Sequence, residues 1–292
     1  MDYEIIGDSR DRESWLALRR QGIGGSDAPA ILGLTSWASP ASVQADKWGL
    51  LEEPDKAEHL RWGQRLEAAI LEGLADEIGK EVKPFGLLIR SKEHPFMVCT
   101  PDGETEGIFV QAKNTIRADQ WRDGPPERVW AQVQHEMAVS GHPRCIVVAL
   151  LLGNRLAWCY VDRDEKFIAD VLIPAEREFW RLTQEMEPAP ADGSEITKRA
   201  LQLIYPKDSG ESVLLDGSFL DLDLERGNLK ERTKHTEARL LEIENLFRHA
   251  IKDATYATLP NGVQYSLKTQ TRKAHEVKES TFRVLRRKES TN

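Results

Sequence analysis

Cysteine is scarce: the 292 residues hold three, Cys99, Cys145 and Cys159, with no paired spacing and each in apolar, strand-like surroundings. That pattern argues against a disulfide framework and against a zinc site, and it places the thiols in the core. Long hydrophobic runs are missing as well. No stretch approaches the roughly 18 apolar residues of a membrane span, and the opening MDYEIIGDSRDRESW is charged where a secretory signal would be apolar. The expectation is a cytoplasmic protein with no membrane partner. An excess of positive charge is also absent. With a formal charge of −8 the surface cannot coat nucleic acid indiscriminately, because phosphate neutralisation needs clustered Lys and Arg. Any DNA contact must be local. Internal repeats and low-complexity runs are lacking too.

What is present is enough apolar content, 40% hydrophobic beside 30% charged, for one sizeable domain and an appendage. Arg12 to Arg20 reads as a helix burying Trp15, Leu16 and Leu18, broken at the glycines of QGIGGSDAPAILG; a second helix is expected to begin near Ser26. From Ala57 to Ile78, Leu66, Ile70, Leu71, Leu74 and Ile78 recur at helical spacing, and Gly79 ends the helix. Glu67, three and four residues before Ile70 and Leu71, faces inward with them.

Five strands are expected: Phe85 to Arg90, Phe96 to Cys99, Ile108 to Ala112, Cys145 to Leu152 and Leu156 to Val161. The fourth is continuously apolar, as a strand covered on both faces would be. Helices are expected at Glu127 to Ser140 and Ala175 to Met186. Helices, a three-strand meander, a helix, two strands and a helix make an α/β or α+β sandwich around a mixed central sheet.

PAPADGSE, Pro188 to Glu195, marks the expected edge of this domain, giving 1–187 and a C-terminal extension 188–292. Within the extension Leu229, Thr233, Thr236, Leu240, Ile243, Phe247 and Ala250 alternate steps of four and three, a seam that one partner helix would satisfy. A turn at Pro260-Asn261-Gly262 separates two candidate strands, and Lys268 to Asn292 carries eight basic residues against three acidic.

Chemistry concentrates in CTPDGETEGIFVQAKNT, Cys99 to Thr115. Asp102 sits in a Pro-Asp-Gly corner, and Gln111 and Lys113, two apart, share one face of the following strand while Ala112 takes the other. A carboxylate, a second oxygen ligand and an amine at one strand end suit phosphodiester hydrolysis, which needs a cation on the phosphate, an activated water and charge uptake on the leaving oxygen. Glu67 is a further ligand, unless Arg61 or Arg65 pairs with it. Gly24 and Gly25 allow close approach of an anion to backbone N–H groups near Ser26, although Ser26 or Asp27 can equally be a helix N-cap.

Five blocks in order carry a resemblance: WLALRRQGIGGSDAPAILG, WGQRLEAAI, TPDG followed by QAK, AQVQHEMAVSG, and YVDRDEKFIADVLIPAEREFW. Between about Trp15 and Trp180 the chain resembles the YqaJ-type viral recombinase family, the phage lambda-exonuclease-like branch of the PD-(D/E)XK nucleases. The resemblance implies a restriction-endonuclease-like core and a 5′→3′ exonuclease on double-stranded DNA ends, dependent on Mg²⁺ with Mn²⁺ as substitute. It also implies a single-strand annealing partner in phage recombination, a bacterial host cytoplasm and, for processive members, a trimeric ring. It assigns Asp102, Glu67 and the position of Gln111 to the metal and Lys113 to catalysis. Gln132 and Gln134 would approach the same centre; about 200° apart around a helix, only one points at the metal, and Gln132 is preferred. Arg19 and Ser26, beside Gly25, would hold a DNA phosphate. Where the family pattern has Asp or Glu, this chain has Gln111. Glutamine can be a working ligand, an engineered block, or the mark of a silent DNA-end-binding protein.

Overall fold

The computed structural model describes residues 2–51 and 58–271, so most of the basic C-terminal segment, from 272 on, lies outside the described residues. The chain divides into two units between Pro206 and Lys207. In chain order the first unit contains β1 (Tyr3–Asp8), α1 (Arg12–Arg20), β2 (Ile23–Gly24), α2 (Ala28–Ile31), α3 (Pro40–Lys47) and α4 (Glu58–Ile78). Then come the short strands β3 (Lys83–Pro84), β4 (Leu87–Ser91), β5 (Met97–Cys99) and β6 (Gly103–Thr105), the long β7 (Ile108–Thr115) and α5 (Glu127–Ser140). The unit closes with β8 (Arg144–Leu151), β9 (Arg155–Asp162), α6 (Glu165–Phe167), α7 (Ile173–Gln184) and α8 (Glu195–Ile204). A π turn, Ile168–Leu172, joins α6 to α7 just before Pro174, whose missing N–H cannot continue the α-helical ladder.

The strands form two mixed sheets rather than the single central sheet expected. One has the order β1-β4-β5-β2, the other β3-β6-β7-β8-β9. The meander is therefore split. β5 pairs antiparallel with β4 and parallel with β2, while β7 pairs antiparallel with β6 and parallel with β8. The chain crosses from one sheet to the other at Thr100-Pro101-Asp102, where Pro101 cannot donate to a ladder. This corner sets Asp102 between the sheets.

β8 is covered on both faces, as its apolar run requires. Ile146 and Val148 pack with Ile70, Leu71 and Leu74 of α4, while Cys145 and Val147 pack with Val129 and Val133 of α5. Cys99 and Cys145 are buried free thiols, pushed up in pKa by burial; Cys159 is half-buried. Trp15, Leu16 and Leu18 of α1 are half-buried rather than buried, because α1 forms a cavity wall. Among the described residues no helix is long and apolar enough to cross a membrane.

The first unit runs past the Pro188 to Glu195 turn. Gln44 of α3 holds that turn by accepting from the Ala189 N–H at 2.6 Å, and Ala200 of α8 packs on Ala41 and Ala45. The second unit holds α9 (Ser218–Ile251) and the hairpin β10 (Tyr256–Thr258) and β11 (Gln264–Ser266), turned at Gly262 with φ +85°.

Candidate active site

β6 pairs with β7 only as far as Val110, so the Ala112 N–H beyond it has no strand partner on that side. Asp102 takes that place: its Oδ2 accepts from the Ala112 N–H at 2.8 Å and from the Gln111 amide. Gln111 is oriented by this contact, since an amide oxygen turned toward a carboxylate would repel it. Its Oε1 is consequently left buried without a partner. Burial pushes the Asp102 carboxyl above its ordinary pKa, against Lys113 and the two donors that hold it down. On α4, Glu67 is half-buried and raised to about 7, first by burial and then by the Asp102 charge, with Lys113 opposing. Asp102, Glu67, Gln111 and Lys113 thus meet at one strand end.

α5 supplies the facing wall. Lys113 Nζ donates to Gln132 Oε1 at 3.0 Å, and Gln132 Nε2 donates to Glu136 Oε1 at 2.9 Å. Glu136, 2% exposed, is held at a pKa of about 7 by burial first and by Asp102, and its Oε2 has no partner. Sequence reasoning missed this carboxylate, although it stands one helical turn after Gln132 in the quoted AQVQHE. Gly25 lies against it: a Cβ there would meet Glu136 Oε1 at 2.9 Å. A buried pair anchors the wall. The Val98 carbonyl can only accept, so His135 Nε2–H donates to it at 3.0 Å, and Nδ1 meets Glu176 Oε1 of α7 at 2.7 Å.

Gln134 departs from expectation. It is fully buried on the far side of α5, donating to the Asp162 carbonyl and accepting from the Asp164 N–H, both at 2.9 Å. It fixes the β9–α6 corner and cannot reach DNA. Gln134→Leu is therefore expected to cost about 2 kcal/mol by orphaning two backbone groups, read as a lower urea midpoint, whereas Gln132→Leu, which removes one donor from Glu136, should lower the midpoint less and impair activity.

Arg19 and Ser26 do come together: Arg19 Nη2 donates to Ser26 Oγ and Asp27 Oδ1, each at 2.8 Å. The helix there begins at Ala28 and has four residues, so the helix-terminus argument does not apply, and Asp27 makes no side-chain cap. Its carboxylate instead collects Arg19, the Gly24 N–H at 2.9 Å and the nearly inaccessible Lys47 at 2.6 Å. Burial opposes its charge, yet these partners hold Asp27 well below the usual carboxylate range. The sequence pointed to neither Asp27 nor Lys47 as part of an ionic cluster.

A cavity of about 480 Å³ joins the two clusters, with Arg19, Gly25 and Ser26 on one side and Asp102, Gln111 and Gln132 on the other. Through Ser26 and Gln132 it adjoins a groove of about 610 Å³ that is lined by Lys113, Trp37, Trp121 and Arg128. Trp37 is 63% exposed, with the Arg128 guanidinium 5.3 Å above its ring.

Among the described residues no three His, Cys, Asp or Glu side chains form a metal-ligating cluster. The residues fit a hard divalent cation: Asp102 and Glu67 supply charge, and the unpartnered buried atoms beside them, Gln111 Oε1 and Glu136 Oε2, are both oxygens.

Two sheets, the strand-end cluster and the α5 wall together define a PD-(D/E)XK-like fold. It is similar to the alkaline exonuclease LHK-Exo from Laribacter hongkongensis, with a TM-score of 0.51 and 20% identity over 60% of this chain and 93% of that one. The same enzyme in complex with dAMP gives a TM-score of 0.51 and 21% identity at the same coverage. The chain belongs to the YqaJ-like viral recombinase family, whose domain model matches residues 14–143. The YqaJ protein of Bacillus subtilis (strain 168) is 30% identical over 260 residues, spanning 86% of this chain and 81% of that protein.

Proposed function

We propose that the chain is a metal-dependent DNA exonuclease that degrades duplex DNA from its ends, 5′→3′, in phage-type recombination through single-strand annealing. The observation that carries this reading is the pair of hydrogen-bonded contacts at one strand end, Gln111 to Asp102 and Lys113 to Gln132, with Glu67 beside them. Family membership and a fold shared with an alkaline exonuclease support it. Mg²⁺ is the expected ion, with Mn²⁺ as substitute, held by Asp102, Glu67 and Gln111 Oε1. When bound, such an ion neutralises phosphate charge and lowers the pKa of a water.

The chain's own residues do the rest. Lys113, fixed by Gln132, presents its ammonium to charge developing on the phosphate. Arg19 and Ser26 hold the terminal 5′ phosphate, Arg19 exchanging part of its contact with Asp27 for the ligand. The adjoining groove takes the strand, with Trp37 as a stacking surface and Arg128 as its cation. An annealing protein in the bacterial cytoplasm would receive the exposed complementary strand.

The test measures nucleotide release from linear 5′-phosphorylated duplex in Mg²⁺, Mn²⁺ and EDTA. Release in EDTA matching that in Mg²⁺ would remove the metal. Gln111 favours one second reading, DNA-end binding without cutting, and end binding with no release from this chain would select it. Arg19→Ala is expected to reduce kcat/KM about tenfold more on 5′-phosphorylated than on 5′-hydroxyl duplex, as loss of a charge-assisted bond predicts; equal losses would refute the end-phosphate role. Trp37→Ala should raise KM about tenfold, the worth of one stacked base, with little change in kcat.

A further inference from the structure

In the second unit α9 is 34 residues long, and Ile251 is its only buried residue. Phe219, Leu222, Leu229, Leu240 and Ile243 are between 36% and 55% exposed, and they fall on the a and d positions of one heptad frame running from 219 to 243. At its C-terminal end the seam is closed by the hairpin, where Tyr265 stacks on Phe247 at 4.4 Å. The free seam is about 37 Å long at 1.5 Å per residue. Its interior polar positions suit a partner. The hydroxyls of Thr233 and Thr236 donate to the Leu229 and Arg232 carbonyls of their own helix, which leaves their methyl groups for the seam.

Charge says what the partner is. In this frame the charged g positions are Glu225, Arg232 and Arg239, and the e positions are Asp223, Lys230, Glu237 and Glu244, of which Asp223 would face the neutral Ser218. In a parallel, in-register pair of identical helices each g residue faces the e residue five further along the other copy. The three facings between charged residues are Glu225 with Lys230, Arg232 with Glu237 and Arg239 with Glu244, all of opposite sign and each occurring twice. Arg226, at an a position, lies beside Glu225 of the other copy. An antiparallel pair would instead set g against g, bringing Arg232 onto Arg232 or Arg239 of its mate. Arg239 and Glu244 now bond Glu242 and Arg248 of the same helix, exposed pairs weak enough to exchange.

We infer that α9 joins this chain to a second copy of itself as a parallel, in-register coiled coil running from Phe219 to Ile243. This inference stands apart from the nuclease reading.

The test measures the solution mass of the full chain by light scattering. Wild type is expected as an oligomer at micromolar concentration. Arg232→Glu/Arg239→Glu and Glu237→Lys/Glu244→Lys should each weaken self-association at least tenfold, and an equimolar mixture of the two should restore it, because every facing between charged residues is again opposite in sign. A single-chain mass for wild type, indifference to both reversals, or failure of the mixture to reassociate overturns the inference. Register is read by oxidative cross-linking in a Cys159→Ser background: Leu240→Cys should link to itself between copies. Cross-linking found only between Leu222→Cys and Leu240→Cys chains would indicate antiparallel packing and overturn it.

Discussion

Asp102→Ala is expected to lower Mg²⁺-dependent nucleotide release from linear duplex by at least about a thousandfold, since it removes the cavity carboxylate on which the Ala112 N–H and the Gln111 amide converge. A backbone donor and a side-chain donor converge on its Oδ2, so its loss also frees Gln111 to turn. The fold should survive. Asp102 has a raised pKa, which means that its ionised form is tolerated rather than favoured in the folded state, and deletion relieves that desolvation while orphaning the Ala112 N–H. The two effects oppose each other, so near-UV circular dichroism and melting temperature should change little. Undiminished cutting would remove the site assignment, and unfolding would show that Asp102 is structural. Lys113→Ala should come close to the same loss, whereas Gln132→Ala, which unfixes the lysine and removes the donor to Glu136, should cost about tenfold.

Much of the fold could be read from periodicity because burial there is one-sided or complete. The apolar run of β8, the α4 spacing and the whole extent of α5 reflect which faces are covered. The division into two sheets could not be read. It depends on strands of two or three residues, such as Ile23–Gly24, in which a glycine argues against a strand until a neighbour supplies the ladder. β1 was hidden for a related reason: Ile5 is 59% exposed and the burial pattern of Tyr3–Asp8 does not alternate. The turn residues at 188–195 look like a domain edge, but Gln44, 145 residues away from Ala189 in sequence, holds their backbone.

At the site, side-chain placement set by strand or helix geometry was legible, and placement set by tertiary approach was not. Gln111 and Lys113 share a face because they are two residues apart, and Gln132 and Gln134 diverge because helix geometry separates them. Glu136 carries no such signal. A carboxylate on the inner face of a helix becomes a site residue only when Gly25 brings the α1–α2 loop against it. Asp27 misled for the opposite reason, since a Ser-Asp pair before an apolar run has the form of an N-cap. Contacts with Arg19, the Gly24 N–H and Lys47 turn it into an ionic hub instead.

Gln111→Glu should bind Mg²⁺ about a hundredfold more tightly than the chain with glutamine, and be less stable without the metal. A neutral amide now lies against Asp102 and leaves Oε1 free. Substituting a carboxylate adds a charge to the ion's surroundings, where unit charges at 4 Å and an effective dielectric of 20 interact by about 4 kcal/mol; part of this is lost to desolvation and to competing protonation. Without metal, two carboxylates meet in place of a donor and an acceptor, and they can be accommodated only by sharing a proton. The melting temperature in EDTA should therefore fall, and the rise on adding Mg²⁺ should be larger than for the unsubstituted chain. Calorimetric titration and thermal unfolding with and without Mg²⁺ read both effects. Equal Mg²⁺ affinity for the two chains would show that residue 111 does not face the ion. Tighter binding accompanied by a large gain in nucleotide release would mean that glutamine here restrains a competent nuclease, and tighter binding with unchanged release would mean that Asp102 and Glu67 already supply the charge the reaction needs.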